Sequence, residues 1–144
     1  MTATPGRRSD YIAFRTMPTR WFDNDVYGHM NNALHYQFFD TAVNAPLVER
    51  GLLDPATSPT IFLVVESGCR YFAPLAFPQD ITAGLRVAKL GRSAVTYELG
   101  LFGGDAEVAA AEGHFVHVNV DRATNRPAPI PDQLRAYLED LRVV

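Results

Sequence analysis

The sequence lacks features that characterise several classes of protein. Its 144 residues include one cysteine, Cys69, which cannot form a disulfide within the chain. A single lysine and dispersed arginines on a chain of net charge -3 give no basic patch for nucleic acid. There is no amino-terminal apolar signal and no run of about 18 apolar residues, which predicts a cytoplasmic protein without a membrane span.

What is present is typical of one globular domain. Hydrophobic residues make up 47% of the chain and charged residues 20%, and the length suits a single core, so one domain is expected over residues 1–144. The polar segment MTATPGRRSD, residues 1–10, is expected to be flexible. The rest of the chain supplies the ordered elements.

One helix is predicted between an edge strand and a run of further strands. Residues 11–22 are rich in aromatic and β-branched residues around a proline, which is typical of an edge or bulged strand. Residues 32–44 contain no Gly or Pro and repeat apolar residues at helical spacing over most of the circumference. We therefore expect a largely buried helix there, ended or kinked by Pro46 and followed by Gly51 as a stop.

Four extended segments follow the helix, at 61–75, 81–90, 93–102 and 107–121. The short connections between them predict that successive strands are antiparallel neighbours. A short terminal helix is expected in DQLRAYLEDL, with Asp132 at or near its cap. These elements predict an α+β fold in which an antiparallel sheet curls around one long central helix.

A dense polar segment, RWFDNDVYGHMNNALHYQFFD, occupies residues 20–40. It resembles the Asp-x-Asp-x-x-Gly-His-x-Asn-Asn signature of the hotdog-fold thioesterases of the 4-hydroxybenzoyl-CoA thioesterase family. The resemblance runs from about Phe14 to Pro131 and includes Cys-Arg-Tyr-Phe-Ala-Pro-Leu at 69–75 and Leu-Gly-Arg-Ser at 90–93. It implies a hotdog acyl-CoA thioesterase, assembled as a homodimer or homotetramer with active sites between subunits.

The same resemblance implies roles for individual residues. Asp25 corresponds to the family's catalytic carboxylate, as general base or nucleophile, and the backbone amide of Asn32 to its carbonyl-polarising donor. Asp40 is the runner-up carboxylate, because a related hotdog branch uses one on the central helix. Arg92 and Ser93 lie at a turn where the family receives pantetheine and phosphate groups. No cofactor is implied, because coenzyme A arrives as part of the substrate.

Elementary chemistry leads to the same segment. Thioester hydrolysis needs a base or nucleophile at the carbonyl carbon and a donor at the carbonyl oxygen. The first turn of a helix beginning near Asn32 has unpaired amides, and Asp25 precedes it by a few residues. Gly28 would let the backbone turn tightly between them. His29 either supports the chemistry, orients the loop or fills space.

Several residues have structural interpretations instead. Asp23 and Asn31 suit loop and cap positions, because both residue types accept hydrogen bonds from nearby amides. Cys69, within an apolar strand, is expected to be an inert thiol. A Gly-x-Ser-x-Gly elbow and a phosphate-binding glycine loop are both absent from the sequence.

A metal site is not expected. His114 and His117 are three apart on a strand, so their side chains point to opposite faces. His29 and His35 match no standard zinc spacing. His114 and His117 are therefore predicted to be structural.

The function favoured by the sequence is hydrolysis of an acyl-CoA or, second, an acyl-carrier-protein thioester. Two other classes stay open. A hotdog enoyl-CoA hydratase or dehydratase would need an acid/base pair, which Asp25 and His29 could form. A non-catalytic acyl-CoA-binding domain would keep the ligand without releasing thiol.

Overall fold

The computed structural model describes residues 4–143. Its helices and strands are β1 Ala13–Pro18, α1 Leu34–Glu49, β2 Thr60–Tyr71, β3 Asp80–Leu90, β4 Ala94–Gly103, β5 Ala111–Asp121 and α2 Asp132–Asp140, with 3₁₀ turns at Arg8–Asp10 and Trp21–Asp23. None of the helices in this part of the chain is long and apolar enough to cross a bilayer.

The strands form one antiparallel sheet in the order β1-β3-β4-β5-β2. Edge position is confirmed for β1, but the prediction that β2 and β3 are neighbours is wrong, because β2 pairs with β5. β2 ends at Tyr71, four residues earlier than predicted, which leaves residues 72–79 as the connection. Eight extended residues span about 26 Å, enough to pass the roughly 14 Å width of the intervening strands.

Helix α1 packs on the inner face of this curled sheet through an aromatic cluster. Phe39 is fully buried and meets the ring of Phe115 edge-on at 6.1 Å between centroids. A Cβ atom at Gly113 would collide with the ring of Phe39, so the missing side chain lets the helix approach β5. The predicted α+β hotdog arrangement, with the sheet around a central helix, is confirmed.

The sequence predicted that Pro46 either ends or kinks helix α1. The helix does not end there. It continues to Glu49, and the carbonyl of Pro46 accepts the amide of Arg50 over 3.0 Å. Proline removes one backbone donor, and burial of Leu47, which is fully buried, stabilises the last turn. Gly51, with φ of +69°, follows the helix as predicted.

In the single chain α1 is less buried than predicted. Its buried side chains are His35, Phe39, Ala42, Val43 and Leu47, on the side that faces the sheet. The opposite side faces outwards. Strand β2, at the sheet edge, likewise leaves Leu63, Val64 and Val65 between 40% and 60% exposed. An unpaired edge with apolar side chains is a template for pairing with another strand.

The amino-terminal segment lies over the outer face of the sheet. Arg8 donates to the carbonyls of Ala106 and Gly104 at 2.7 and 2.8 Å. Tyr11 covers Gly84 and Gly100, where a Cβ atom would come within 2.8 Å of its ring. Residues 1–3 lie outside the described part of the chain, and the flexibility expected of residues 1–10 stays a prediction.

Two buried polar side chains in the core have no hydrogen-bond partner among the described residues. They are His117, 2% exposed, and Tyr97, 1% exposed, whose rings meet edge-on at 5.3 Å. Burial lowers the pKa of His117 to about 4, because a charged imidazolium would lose its hydration. The imidazole is therefore neutral in the folded protein at neutral pH.

We expect His117 to make stability depend on pH. Its pKa is lower in the folded than in the unfolded state, so its contribution is complete above about pH 6.5 and is lost as pH falls towards 4. The free energy of unfolding should fall by about 2 kcal/mol more between pH 7 and pH 5 in the wild type than in His117→Leu. Urea denaturation at both pH values measures the difference.

His114→Gln is the matched control. His114 lies on the same strand but at the surface, where its Nε2 is 2.8 Å from the carboxylate of Glu66. This control should retain the slope that His117 causes. An unchanged slope in His117→Leu would contradict the assignment.

Candidate active site

A tight loop carries Asp25 to the amino-terminal end of α1. Asn24 and Met30 pair as an isolated bridge, and within it the amide of Asp25 donates to the carbonyl of His29 over 2.7 Å. The amide of Gly28 donates back to the carbonyl of Asp25 over 3.1 Å. Gly28 has φ of +77°, the left-handed region that favours glycine, so the predicted tight turn is present.

The carboxylate of Asp25 is held by this turn through one of its oxygens. Oδ1 accepts the amide of Tyr27 at 2.8 Å and that of His29 at a longer 3.4 Å. Within residues 4–143 no donor reaches the other oxygen, Oδ2. The half-buried side chain is thus oriented by the backbone and still has one oxygen available for chemistry.

Three further hydrogen bonds dock the loop on its surroundings. The amide of Met30 donates to the carbonyl of Leu75 over 2.6 Å, and the side chain of Asn24 accepts the amide of Phe77 over 3.0 Å. Asp23 is 3% exposed and its carbonyl accepts the amide of Asn31 over 2.9 Å. Arg20 donates two side-chain hydrogen bonds to the carboxylate of Asp23, so Asp23 makes structural contacts.

One amide in the segment just before α1 has no acceptor among the described residues. The helix begins at Leu34, two residues later than predicted, and Asn31 accepts the amides of Ala33 through Oδ1 and of Leu34 through its carbonyl. Between Tyr27 and Leu34, Asn32 is the residue whose amide has no acceptor among the described groups. This amide can donate to a bound carbonyl oxygen.

Asp25, His29 and Asn32 line one depression of about 480 Å³, together with Met30, His35 and residues 71–75. The structure therefore brings together three of the site residues identified from the sequence. Gly28 lies in the same turn.

The sequence interpretation missed two residues at this depression, Tyr71 and His35. The Tyr71 hydroxyl donates to the carbonyl of Asn32 over 2.7 Å, and Nδ1 of His35 lies 3.2 Å from the same oxygen. Their rings meet edge-on at 4.7 Å. The Cys-Arg-Tyr-Phe-Ala-Pro-Leu resemblance could have pointed to Tyr71, and the three-residue spacing from Asn32 could have pointed to His35.

Asp40 does not line this depression. It lies six residues beyond Leu34, about 9 Å further along the helix axis. Its carboxylate is exposed and accepts a hydrogen bond from the side chain of Asn44 at 3.0 Å. Those contacts are typical of a solvated helix face.

Arg92 and Ser93 are also remote from the depression within one chain. They form the β3–β4 turn, and their carbonyls accept the amides of Ile130 and Asn119 respectively. The turn directly precedes Ala94. Leu101 lies level with the depression, because it pairs with Ala111 and Ala111 pairs with Tyr71. Ala94 and Leu101 are about 23 Å apart along β4. The two groups of predicted site residues therefore lie at opposite ends of the sheet.

The described residues give little support to chemistry at Cys69 or at a metal ion. Cys69 is half-buried, and burial raises the pKa of its thiol, which disfavours the nucleophilic thiolate. His114 and His117 point to opposite faces, as predicted. Across residues 4–143, no three His, Cys, Asp or Glu side chains converge as metal ligands.

The family model of the thioesterase-like superfamily matches residues 19–138. The chain belongs to this superfamily. The match includes the whole loop from Asp23 to Leu34 and the segment 71–75, so this depression lies inside the matched region of the thioesterase-like domain.

Solved structures agree with this assignment. The PA5185 protein of Pseudomonas aeruginosa is 54% identical over 96% of each chain, with a TM-score of 0.93. The PA2801 protein of the same species is 31% identical over 87% of this chain and 96% of that chain, with a TM-score of 0.80. A 1,4-dihydroxy-2-naphthoyl-CoA thioesterase of Synechocystis shares the fold at 15% identity, over 89% of this chain and 96% of its own, with a TM-score of 0.80. No curated protein matches the chain.

Gly28 offers a test of the loop geometry. Gly28→Ala should lower the free energy of unfolding by about 1 kcal/mol, because a Cβ atom strains a residue in the left-handed region. Gly28→Asn should lose less, since asparagine tolerates that region. Thermal or urea denaturation measures both.

Gly91→Ala is the matched control in another turn, where an added Cβ would meet its nearest atom at an ordinary 3.6 Å. This variant should leave stability within about 0.5 kcal/mol of wild type. Equal losses in all three variants would show that the turn at Gly28 does not require a positive φ.

Proposed function

We propose that this thioesterase-superfamily protein hydrolyses acyl-CoA thioesters to a free acid and coenzyme A. The observation that carries the proposal is the pairing, in one depression, of an available carboxylate oxygen on Asp25 with the unoccupied amide of Asn32. A carboxylate and a fixed donor are the two groups that thioester cleavage needs.

The reaction follows from the roles of these groups. The Asn32 amide, at the positive end of α1, stabilises the charge that develops on the thioester oxygen. As general base, Asp25 takes a proton from water while the water oxygen bonds to the carbonyl carbon. The carbon–sulfur bond then breaks and the proton passes to the thiolate. As nucleophile, Asp25 would first bond to the carbonyl carbon, and the carbon–sulfur bond would break to release the thiolate of coenzyme A. Water would then hydrolyse the resulting anhydride, which frees the acid and Asp25, and a proton from that water would pass to the thiolate. His29 stands beside Asp25 as a supporting group in either route.

Coenzyme A is the proposed carrier for two reasons. The Synechocystis protein that shares the fold acts on a CoA thioester. The depression is also open to solvent, so a long carrier group could extend from the carbonyl across the surface. An acyl-carrier protein is the second candidate.

We further propose that the β2 edges of two subunits pair and that Arg92 acts on the partner's site. In a two-fold antiparallel pairing of β2 with its copy, the second sheet is inverted. Its β3–β4 turn then lies at the same end as the first subunit's depression, roughly three strand spacings or about 14 Å to the side of β2. The homodimer or homotetramer would thereby complete each site.

Replacing Asp25 with Asn tests the proposed chemistry. The amide can keep the turn, because its oxygen still accepts backbone hydrogen bonds, but it is neither basic nor usefully nucleophilic. We expect kcat for acyl-CoA hydrolysis to fall about 100-fold or more with an unchanged fold, as measured with a thiol-detecting reagent and circular dichroism.

Asp40→Asn is the matched control, because it makes the same substitution on α1 outside the depression. It should lower kcat far less. If its loss exceeded that of Asp25→Asn, the helix carboxylate would be the catalytic one. Hydration of an enoyl-CoA without thiol release would favour a hydratase, and tight binding without turnover would favour a non-catalytic module.

Mixed assemblies test whether Arg92 acts in trans. Arg92→Ala should raise KM several-fold for acyl-CoA with little change in kcat, and should spare an acyl-pantetheine thioester, which lacks the nucleotide phosphates. Assemblies of Asp25→Asn with Arg92→Ala subunits should contain sites with both residues intact, because each site takes Asp25 from one subunit and Arg92 from the other.

Such mixtures should therefore regain wild-type KM at part of the wild-type rate. A KM that stays at the Arg92→Ala value would place Arg92 on the site of its own chain. Equal losses for both substrates would give Arg92 a structural role.

A further inference from the structure

We infer that Tyr71 and His35 are positioning residues that hold the carbonyl of Asn32 and thereby aim its amide at the substrate. This inference rests on the proposed function, because it gives the Asn32 amide a role in catalysis. It adds two side chains from different parts of the fold to the site.

The carbonyl of Asn32 is bound on two sides. The Tyr71 hydroxyl donates to it over 2.7 Å, and Nδ1 of His35 lies 3.2 Å away. A carbonyl oxygen can only accept, so Nδ1 of His35 must carry the hydrogen. Both contacts are therefore donations from side chains to one oxygen, and together they form a clamp.

The clamp adds to the contacts that hold Asn32 just before α1. The helix begins at Leu34, so Asn32 precedes the regular ladder of helical hydrogen bonds. Its own amide has no acceptor within the described chain. The Asn32 amide shares a peptide plane with the Asn31 carbonyl, which accepts the amide of Leu34, and the clamped Asn32 carbonyl lies in the next plane. The clamp therefore restrains the two torsions about the Asn32 Cα atom, which set the angle between these planes.

The clamp is itself supported by packing and by protonation. The rings of Tyr71 and His35 meet edge-on at 4.7 Å, so each restrains the other. Burial lowers the pKa of His35, which leaves the ring neutral with its one hydrogen available to Nδ1. The pKa of Tyr71 is raised to about 12, mainly by desolvation, so its hydroxyl remains a donor at neutral pH.

The pairing also joins two elements of the sheet-and-helix architecture. Tyr71 is the last residue of the edge strand β2, and His35 lies in the first turn of α1. His35 is 3% exposed, whereas Tyr71 is 46% exposed beside the depression. The donor direction of the Asn32 amide would thus depend on how β2 meets the helix.

Tyr71→Phe removes the hydroxyl and keeps the ring that packs on His35. We expect kcat for acyl-CoA to fall about tenfold while KM stays within about twofold, because an amide that is misdirected loses transition-state stabilisation more than ground-state binding. The midpoint of thermal unfolding should change little.

Tyr11→Phe is the matched control. It deletes the same group, a phenolic hydroxyl 3.2 Å from the carboxylate of Glu112, on the outer face of the sheet. Its kcat and KM should equal those of wild type. A raised KM with unchanged kcat in Tyr71→Phe would overturn the inference, because the hydroxyl would then be contacting substrate directly.

His35 supplies an independent pair of variants. His35→Phe keeps an aromatic ring but loses the donor, and kcat should fall several-fold. His35→Asn places an amide donor at a similar distance from the backbone and should recover part of that loss. Equal activity in the Phe and Asn variants, at any level, would show that donation to the carbonyl is not what matters.

Nuclear magnetic resonance separates failure of this inference from failure of the proposed function. In Tyr71→Phe the heteronuclear NOE of the Asn32 amide should fall, reporting greater mobility on the picosecond to nanosecond timescale, and it should not fall in Tyr11→Phe. A wild type without thioesterase activity would refute the function and leave this readout intact. An unchanged NOE in Tyr71→Phe would refute the clamp whatever the activity.

Discussion

The site depends on one constraint, the need of the backbone amides between Tyr27 and Leu34 for acceptors. Asp25 accepts amides through its side chain and carbonyl, Asn31 does the same one turn later, and Leu75 accepts the amide of Met30. Backbone groups seek hydrogen-bond partners, so the polar residues of this loop fix its conformation before any chemistry. The amide of Asn32 is left over at a solvent-facing position. In the proposed mechanism the donor to the substrate is this amide, which the loop itself does not use.

Local sequence was sufficient to predict α1, the strands and the edge position of β1. Side-chain spacing indicates which residues share a face, and the proline within residues 11–22 indicated an edge strand. It could not predict the strand order. A connection between strands shows how far the chain can travel but not which edge receives it, and β2 lies beside β5 because the 72–79 segment crosses the sheet. Pro46 misled for a related reason. Propensity measures the cost of one lost hydrogen bond, whereas burial of Leu47 is a tertiary contribution that continues the helix.

The same distinction explains the site. Asp25, Gly28 and Asn32 are close in sequence, so their grouping could be predicted from one segment and from a family resemblance. Tyr71 reaches Asn32 across 39 residues, and only the fold determines that contact. Arg92 is a different case. The sequence predicts the turn that contains it, but not the end of the sheet at which that turn lies. Its separation from Asp25 within one chain, together with the exposed β2 edge, is why the proposed site takes residues from two subunits.

The identity of the acid at position 25 follows from this geometry. An aspartate has a single methylene between backbone and carboxylate, which lets Oδ1 reach the amide two residues ahead and close the turn. A glutamate would place its oxygens beyond that amide, which would then donate to water instead. A histidine would offer one acceptor and no second oxygen. Aspartate can use one oxygen to fix the loop and keep the other oriented at the mouth of the depression. In the proposed mechanism, folding and chemistry therefore share one residue, because the two roles use different atoms of the same carboxylate.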